Sequence, residues 1–153
     1  MENIQPEVRE NENSSLEKKT IIKTASVDKL IVRPTRITPL VYFDPNRGLL
    51  ELRGRSSPEN SIQFYNKLLL ALERYPSGGR NKLVANFKFE YFNTSSSKCL
   101  FDVFRKLLKL EQLGFQLTVN WYYEEFDDDM QEAGEDYADL LGMDFNFIEA
   151  QFI

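Results

Sequence analysis

Two kinds of hydrophobic spacing alternate along this chain. In five short segments the apolar residues are either contiguous, as in strands buried on both faces, or occupy every second position, as in strands buried on one face. The second of these segments, residues 40–54, is divided by Asp44-Pro45-Asn46-Arg47-Gly48, a composition typical of turns. We therefore predict a β-hairpin over residues 40–54. The segments lie at residues 30–32, 40–54, 82–91, 115–121 and 145–148.

Three other segments have apolar residues three or four positions apart, the spacing of amphipathic helices. The first starts at residues 57–60, with Ser57 as the expected N-cap, and ends before the turn-forming residues 75–80. The second is expected over residues 96–114, and the third follows the acidic stretch 124–136. The order β-β-β-α-β-α-β-α-β predicts one α/β domain with a mixed sheet and three helices.

Four consecutive hydroxyl residues, Thr94, Ser95, Ser96 and Ser97, lie where the strand 82–91 gives way to the second helix. Unpaired N–H groups and the positive end of the helix dipole favour either a capping side chain or an anion at such a junction. One oxygen is enough to cap a helix, which is worth about 1 kcal/mol. The surplus hydroxyls leave two interpretations open: loop composition alone, or a hydroxyl that binds or accepts phosphate.

A phosphate at this junction would require cations nearby. Lys98 is close in sequence. Arg53 and Arg55, at the end of the hairpin, would add two positive charges if their strand lies beside the strand that ends at Tyr91.

The composition narrows the class of function. With 153 residues, of which 42% are hydrophobic, the chain can bury one core. Histidine is absent, which removes the commonest general base and most zinc sites, so we expect a protein that is not an enzyme. An enzyme that uses Asp and Glu as acid and base is the least favoured alternative.

The chain has the features of a cytoplasmic protein. Its single cysteine, Cys99, is expected in the core of a helix, and the first residues have neither the basic start nor the apolar stretch of a signal peptide, so we expect none. No run of 18 or more apolar residues occurs, so we expect no transmembrane helix. Polar residues dominate residues 1–25, which predicts a disordered arm before a domain over residues 26–153.

The charge is unevenly distributed. Up to Lys109 there are 19 basic and 12 acidic residues, whereas the remainder has 12 acidic residues and no lysine or arginine. The acidic part disfavours nucleic acid and suits a basic protein surface. The run Glu124-Glu125-Phe126-Asp127-Asp128-Asp129 lacks the ligand spacing and glycine of an EF-hand loop, so we interpret it as the start of a helix and predict no metal site.

Three ordered motifs resemble the SiaC family of bacterial regulatory phosphoproteins. They are Arg53-Gly54-Arg55-Ser56-Ser57-Pro58-Glu59-Asn60, then Phe89-Glu90-Tyr91-Phe92-Asn93-Thr94-Ser95-Ser96-Ser97-Lys98, then Val119-Asn120-Trp121-Tyr122-Tyr123 before an acidic helix. The resemblance covers about residues 28–150.

The resemblance implies a STAS-like fold and a phosphorylated threonine in an Asn-Thr-Ser-Ser context, which corresponds to Thr94. It also implies a dedicated kinase, a PP2C-type phosphatase and an output protein, such as a diguanylate cyclase, that the unphosphorylated form binds and activates. Ser95 and Ser96 are expected as secondary acceptors, or as capping residues together with Ser97. Contacts to the phosphate or to a partner are expected from Asn93, Ser97, Lys98, Arg53 and Arg55.

A second class of function remains open at this stage. In a small-ligand binding module of STAS-like fold, the same helix N–H groups would hold an anion such as a nucleotide phosphate. We expect no cofactor and no membrane partner in either case.

Overall fold

An antiparallel hairpin followed by three strand–helix–strand units forms the architecture of the computed structural model, which describes residues 28–77 and 81–152. A 3-10 turn at Tyr75–Ser77 follows the first helix. The order of elements is the one that the hydrophobic spacing predicts. The strands are β1 (Leu30–Val32), β2 (Leu40–Asp44), β3 (Leu49–Ser56), β4 (Lys82–Phe92), β5 (Gln116–Tyr123) and β6 (Phe145–Glu149), and the helices are α1 (Ser61–Arg74), α2 (Thr94–Gln112) and α3 (Asp128–Leu141).

The six strands lie in the sheet in the order in which they occur in the chain. β1, β2 and β3 pair antiparallel, and β3 to β6 pair parallel, which confirms the predicted mixed sheet and the hairpin within residues 40–54. Right-handed crossovers that all step in the same direction place their helices on the same side of a sheet. The sheet therefore has a helix-covered face and an open face.

The core lies between the helices and the covered face. Alternate residues of β4 are buried there, whereas their neighbours are only partly buried on the open face. The ring of Trp121 is fully buried and stacks on Phe87 at 6.1 Å between ring centroids, and its Nε1–H donates to the backbone oxygen of Met130 at 2.8 Å. This bond fixes α3 against β5. Cys99 is buried in α2, as predicted.

An amide ladder crosses the open face. Asn120 Nδ2 donates to Asn86 Oδ1 at 2.9 Å, and Asn146 Nδ2 donates to Asn120 Oδ1 at 3.0 Å. The three asparagines occupy matching positions of β4, β5 and β6. Because a shift of one residue would turn them toward the core, the ladder helps to fix the register of the parallel strands.

The start of α1 differs from the prediction. Ser57 is not the cap, because β3 extends to Ser56 and the helix begins only at Ser61. Asn60 caps the helix instead, with its Oδ1 accepting from the Gln63 N–H at 3.0 Å.

The start of α2 also differs, and no hydroxyl caps it. The helix begins at Thr94, two residues before the predicted start, and the side chain of Asn93 accepts from the Ser96 N–H at 2.8 Å. The expectation that Ser95, Ser96 or Ser97 is the cap is therefore wrong. Asparagine is as good a cap as serine, so the hydroxyls are left for other contacts.

The acidic run forms the start of α3, as interpreted from the sequence. Asp127 is the N-cap and accepts from the Met130 N–H at 3.1 Å, and Asp128 and Asp129 lie in the first turn, where the helix dipole favours acids. The predicted arm over residues 1–25 and the second half of the turn, residues 78–80, lie outside the described residues.

We expect Gly134→Ala to destabilise the protein, although a glycine-to-alanine change inside a helix ordinarily stabilises it by about 1 kcal/mol. A Cβ on Gly134 would lie 2.5 Å from Cδ1 of the buried Trp121 ring. Urea denaturation should show a loss of about 1–3 kcal/mol in the free energy of unfolding. Glu135→Ala, at an exposed position of the same helix, is the control and should change it by less than about 0.5 kcal/mol. A stabilised Gly134→Ala variant would contradict the close packing.

We expect Asn93→Ala to lower the free energy of unfolding by about 1 kcal/mol, because the Ser96 N–H loses its acceptor. Asn93→Asp retains a capping oxygen and should remain close to the wild type in the same denaturation experiment. Equal losses in the two variants would show that Asn93 acts through something other than its capping oxygen.

Candidate functional site

The carboxyl ends of the four parallel strands and the N-termini of the three helices meet at one edge of the sheet, here called the switch edge. In α/β sheets this edge is where ligands ordinarily bind. The hydroxyl cluster at residues 94–97 lies there, because α2 begins directly after β4 ends. The cluster contains hydroxyls in very different surroundings.

Ser96 is fully buried below the switch edge. Its Oγ lies 2.8 Å from the Oγ of Ser56 and donates to the Ser56 backbone oxygen at 3.0 Å. The Ser56 hydroxyl in turn lies 2.6 Å from the hydroxyl of Tyr65, whose burial raises the pKa of that phenol well above its ordinary value. This neutral network ties β3, α1 and α2 together, and its burial argues against Ser96 as a phosphate acceptor.

Ser97 connects α2 to α3. The Tyr137 hydroxyl donates to the Ser97 backbone oxygen at 2.8 Å and lies 3.0 Å from the Ser97 Oγ. Burial raises the pKa of Tyr137 to about 12, and the hydrogen bond with Ser97 partly offsets this shift. Tyr137 is therefore a neutral structural contact at physiological pH.

Ser95 connects α2 to α1. Its Oγ lies 2.7 Å from the Oγ of Ser61, the first residue of α1, and 3.2 Å from the Asn93 Oδ1. Ser95 is more accessible than Ser96. Its role as a secondary acceptor stays a prediction.

Thr94 differs from its three neighbours. It is exposed, and its hydroxyl has no hydrogen-bond partner within the part of the chain that the structure describes. The N–H groups of Thr94 and Ser95 likewise have no acceptor there, whereas Ser96 N–H and Ser97 N–H bond to Asn93. Thr94 thus combines an accessible oxygen with unused donors at a helix N-terminus.

The three cations expected near a phosphate on Thr94 lie on two different parts of the molecule. Lys98 is exposed on the first turns of α2. Arg53 and Arg55 do lie on the strand beside β4, but on the open face: Arg53 forms an ion pair with Glu51 at 3.8 Å, and the Arg55 guanidinium lies 5.0 Å above the ring centroid of Tyr91. Their contact with a phosphate on Thr94 stays a prediction.

The sequence analysis missed three exposed apolar side chains at the switch edge, here called the apolar rim. Ile62 is 78% exposed at the start of α1, Tyr91 is 44% exposed at the end of β4, and Phe126 is 88% exposed between β5 and α3. Phe126 has a φ of 66°, a conformation that is rare and costly for an aromatic residue. A single aromatic residue within an acidic run was the available signal in the sequence.

The acidic residues at this edge do not form a metal centre. Within residues 28–77 and 81–152, no three His, Cys, Asp or Glu side chains converge so that they could hold an ion. Within the same ranges, no helix has the length and apolar character needed to cross a bilayer.

Comparison with known proteins agrees with this architecture. Residues 32–150 match the model of the SiaC family regulatory phosphoproteins. An uncharacterised protein of Pseudomonas aeruginosa (strain UCBPP-PA14) is 29% identical over 111 residues, which cover 72% of this chain and 88% of that protein.

The solved structures that this chain resembles are also SiaC proteins. Apo-SiaC from Pseudomonas aeruginosa superposes with a TM-score of 0.71 at 26% identity, covering 82% of this chain and all of that chain. A second match, with a TM-score of 0.74 at 26% identity, covers 79% of this chain and 99% of that chain, in a complex of the diguanylate cyclase SiaD with its activator SiaC from the same organism. The match over most of its length shows that the chain belongs to the SiaC family of regulatory phosphoproteins.

Proposed function

We propose that this protein is a non-enzymatic phosphorylation switch whose acceptor is Thr94. A dedicated kinase phosphorylates Thr94, and a PP2C-type phosphatase removes the phosphate, in the cytoplasm. The unphosphorylated form binds and activates an output protein, for which a diguanylate cyclase is the leading candidate. The observation that carries the proposal is that Thr94 alone among residues 94–97 is both exposed and without a hydroxyl partner in the described structure.

The surroundings of Thr94 suit a phosphoryl group. The unused N–H groups of Thr94 and Ser95 lie at the positive end of a 19-residue helix, where anions are stabilised. The exposed side chain of Lys98 lies one turn further along the helix. A phosphate can therefore be held without rearranging the buried Ser56–Ser96 network.

The apolar rim supports partner binding at the same edge. Exposed aromatic and aliphatic side chains grouped at one end of a domain are typical of protein interfaces. The adjoining acidic start of α3 favours a partner in which an apolar patch is bordered by basic residues. Phosphorylation would add about −1.5 to −2 charges beside these acids and the rim, which disfavours the same partner.

The identity of the partner is proposed from the solved relative. The SiaC of Pseudomonas aeruginosa is an activator found in complex with the diguanylate cyclase SiaD. The same fold here, with an apolar rim at the switch edge, supports an output protein of that class. Cyclic di-GMP would then be the product that the switch controls.

We expect Thr94→Ala to abolish phosphorylation by the cognate kinase, because it removes the exposed acceptor. A phosphate-affinity gel after incubation with the kinase and ATP measures this directly. Ser95→Ala is the matched control, at the next hydroxyl along the helix, and should still be phosphorylated. A shifted band that persists in Thr94→Ala would overturn the assignment of the acceptor.

We expect Phe126→Gly to separate partner binding from folding. Glycine accepts the positive φ of 66° without strain, so the free energy of unfolding should stay the same or rise by up to about 1 kcal/mol. Loss of the exposed ring should weaken binding to the cognate cyclase at least about tenfold, as measured by calorimetry.

The control for this experiment is Leu113→Ala, which removes an exposed side chain beyond the C-terminal end of α2, away from the switch edge. It should bind the cyclase like the wild type. Unchanged binding by Phe126→Gly would exclude the apolar rim as the docking surface while leaving the Thr94 assignment intact.

A further inference from the structure

We propose that the open face of the sheet contains a second binding site, a pocket for a small organic anion that carries a ring. This pocket lies on the other side of the sheet from the helices and is independent of the proposed phosphorylation of Thr94. Its volume is about 330 Å³, and its lining comes from five separate parts of the chain. Pockets for small ligands range from roughly 300 to 1,000 Å³, so this one suits a molecule no larger than a mononucleotide.

The floor of the pocket is a row of side chains across three adjacent strands. Arg53 of β3 is the register partner of Lys88 of β4, and Tyr122 of β5 is next to Trp121, the register partner of Phe87. The Lys88 Nζ lies 4.5 Å above the ring centroid of Tyr122. Two cations and an aromatic ring are therefore held side by side by the sheet itself.

Both cations retain their hydrogen-bonding capacity. Lys88 Nζ and Arg53 Nη1 lie 3.6 and 3.8 Å from the same oxygen, the Glu51 Oε1. Nitrogen and oxygen at these distances form ion pairs, but they are too far apart for hydrogen bonds. The carboxylates of Glu51 and Glu90 balance the two cations in number, so the N–H donors that remain on Arg53 and Lys88 are what point to an anionic group on the ligand.

The walls of the pocket come from the connection between β1 and β2 and from the segment after β6. Pro34, between β1 and β2, forms one side, and the segment 150–152 after β6 forms the other. That segment is anchored: the Ala150 N–H donates to the Tyr123 backbone oxygen at 3.0 Å, and the Phe152 N–H donates to Glu124 Oε1 at 2.8 Å. Pro34, Tyr122 and Phe152 provide apolar surface for a ring.

The lining also limits the charge of the ligand. Glu90 lines the pocket near Arg53 and Lys88, so a multiply charged anion would meet a carboxylate. A single carboxylate or phosphoryl group on a ring-bearing molecule fits best, and hydrogen-bond donors on its other end would meet Glu90. A mononucleotide and an aromatic carboxylate share this chemistry.

The test is calorimetric titration of the full chain with two probes, GMP as the phosphate source and 4-hydroxybenzoate as the carboxylate source. At least one probe should bind saturably with one site per chain. Lys88→Met, which keeps most of the length of the side chain but removes its charged amino group, should weaken that binding at least about tenfold.

Two further variants distinguish binding inside the pocket from general attraction of an anion to positive charges on the surface. Ala150→Leu fills the cavity without changing any charge and should also abolish binding. Lys82→Met removes an exposed cation of the same strand outside the pocket and should leave binding unchanged. Thermal unfolding and far-ultraviolet circular dichroism verify that each variant is folded.

The outcomes are distinct. Binding of GMP alone assigns a phosphoryl ligand, and binding of the benzoate alone assigns a carboxylate. If neither probe binds saturably, or if Lys88→Met and Ala150→Leu bind as well as Lys82→Met, the proposed pocket is overturned.

Discussion

The arrangement of this protein depends on Asn93, the single residue between β4 and α2. Its backbone N–H donates to the Ser56 backbone oxygen at 2.9 Å, its backbone oxygen accepts from the Ser97 N–H at 2.9 Å, and its side chain accepts from the Ser96 N–H at 2.8 Å. One residue thus ends a central strand, holds it against the next strand and starts a helix. The direction of α2 follows from these bonds, and with it the burial of Ser96 and the exposure of Thr94.

The order of elements could be predicted because the hydrophobic spacing changes at each junction and the turns contain proline, glycine or asparagine. The exact helix starts could not. Asn60 and Asn93 compete with nearby serines as caps, and an asparagine amide and a serine hydroxyl have nearly equal capping strength. The capping residue is set by the position at which the preceding strand ends. That position in turn depends on pairing with a strand distant in sequence.

The error of two residues at α2 matters for the site. Each step along a helix turns a side chain by about 100°, so the starting residue decides which of the four hydroxyls faces the core. The sequence indicated the cluster and Thr94 through a family resemblance, but the different surroundings of Ser95, Ser96 and Ser97 depend on contacts with Ser61, Ser56 and Tyr137, at least 34 positions away in the chain. Phe126 was missed because exposure of an aromatic residue runs against the average tendency of its type.

The sequential strand order has a consequence for how many signals the molecule can receive. In doubly wound sheets the direction of winding reverses once, and the crevice at that reversal becomes the single central site. The described sheet has no reversal, so no such crevice concentrates binding at its middle. The apolar rim at the switch edge and the pocket on the open face instead adjoin each other, since Tyr91 of the rim directly follows Glu90 of the pocket lining. If both proposals hold, an output protein and a small molecule would bind at neighbouring places, so that each would alter the surface offered to the other.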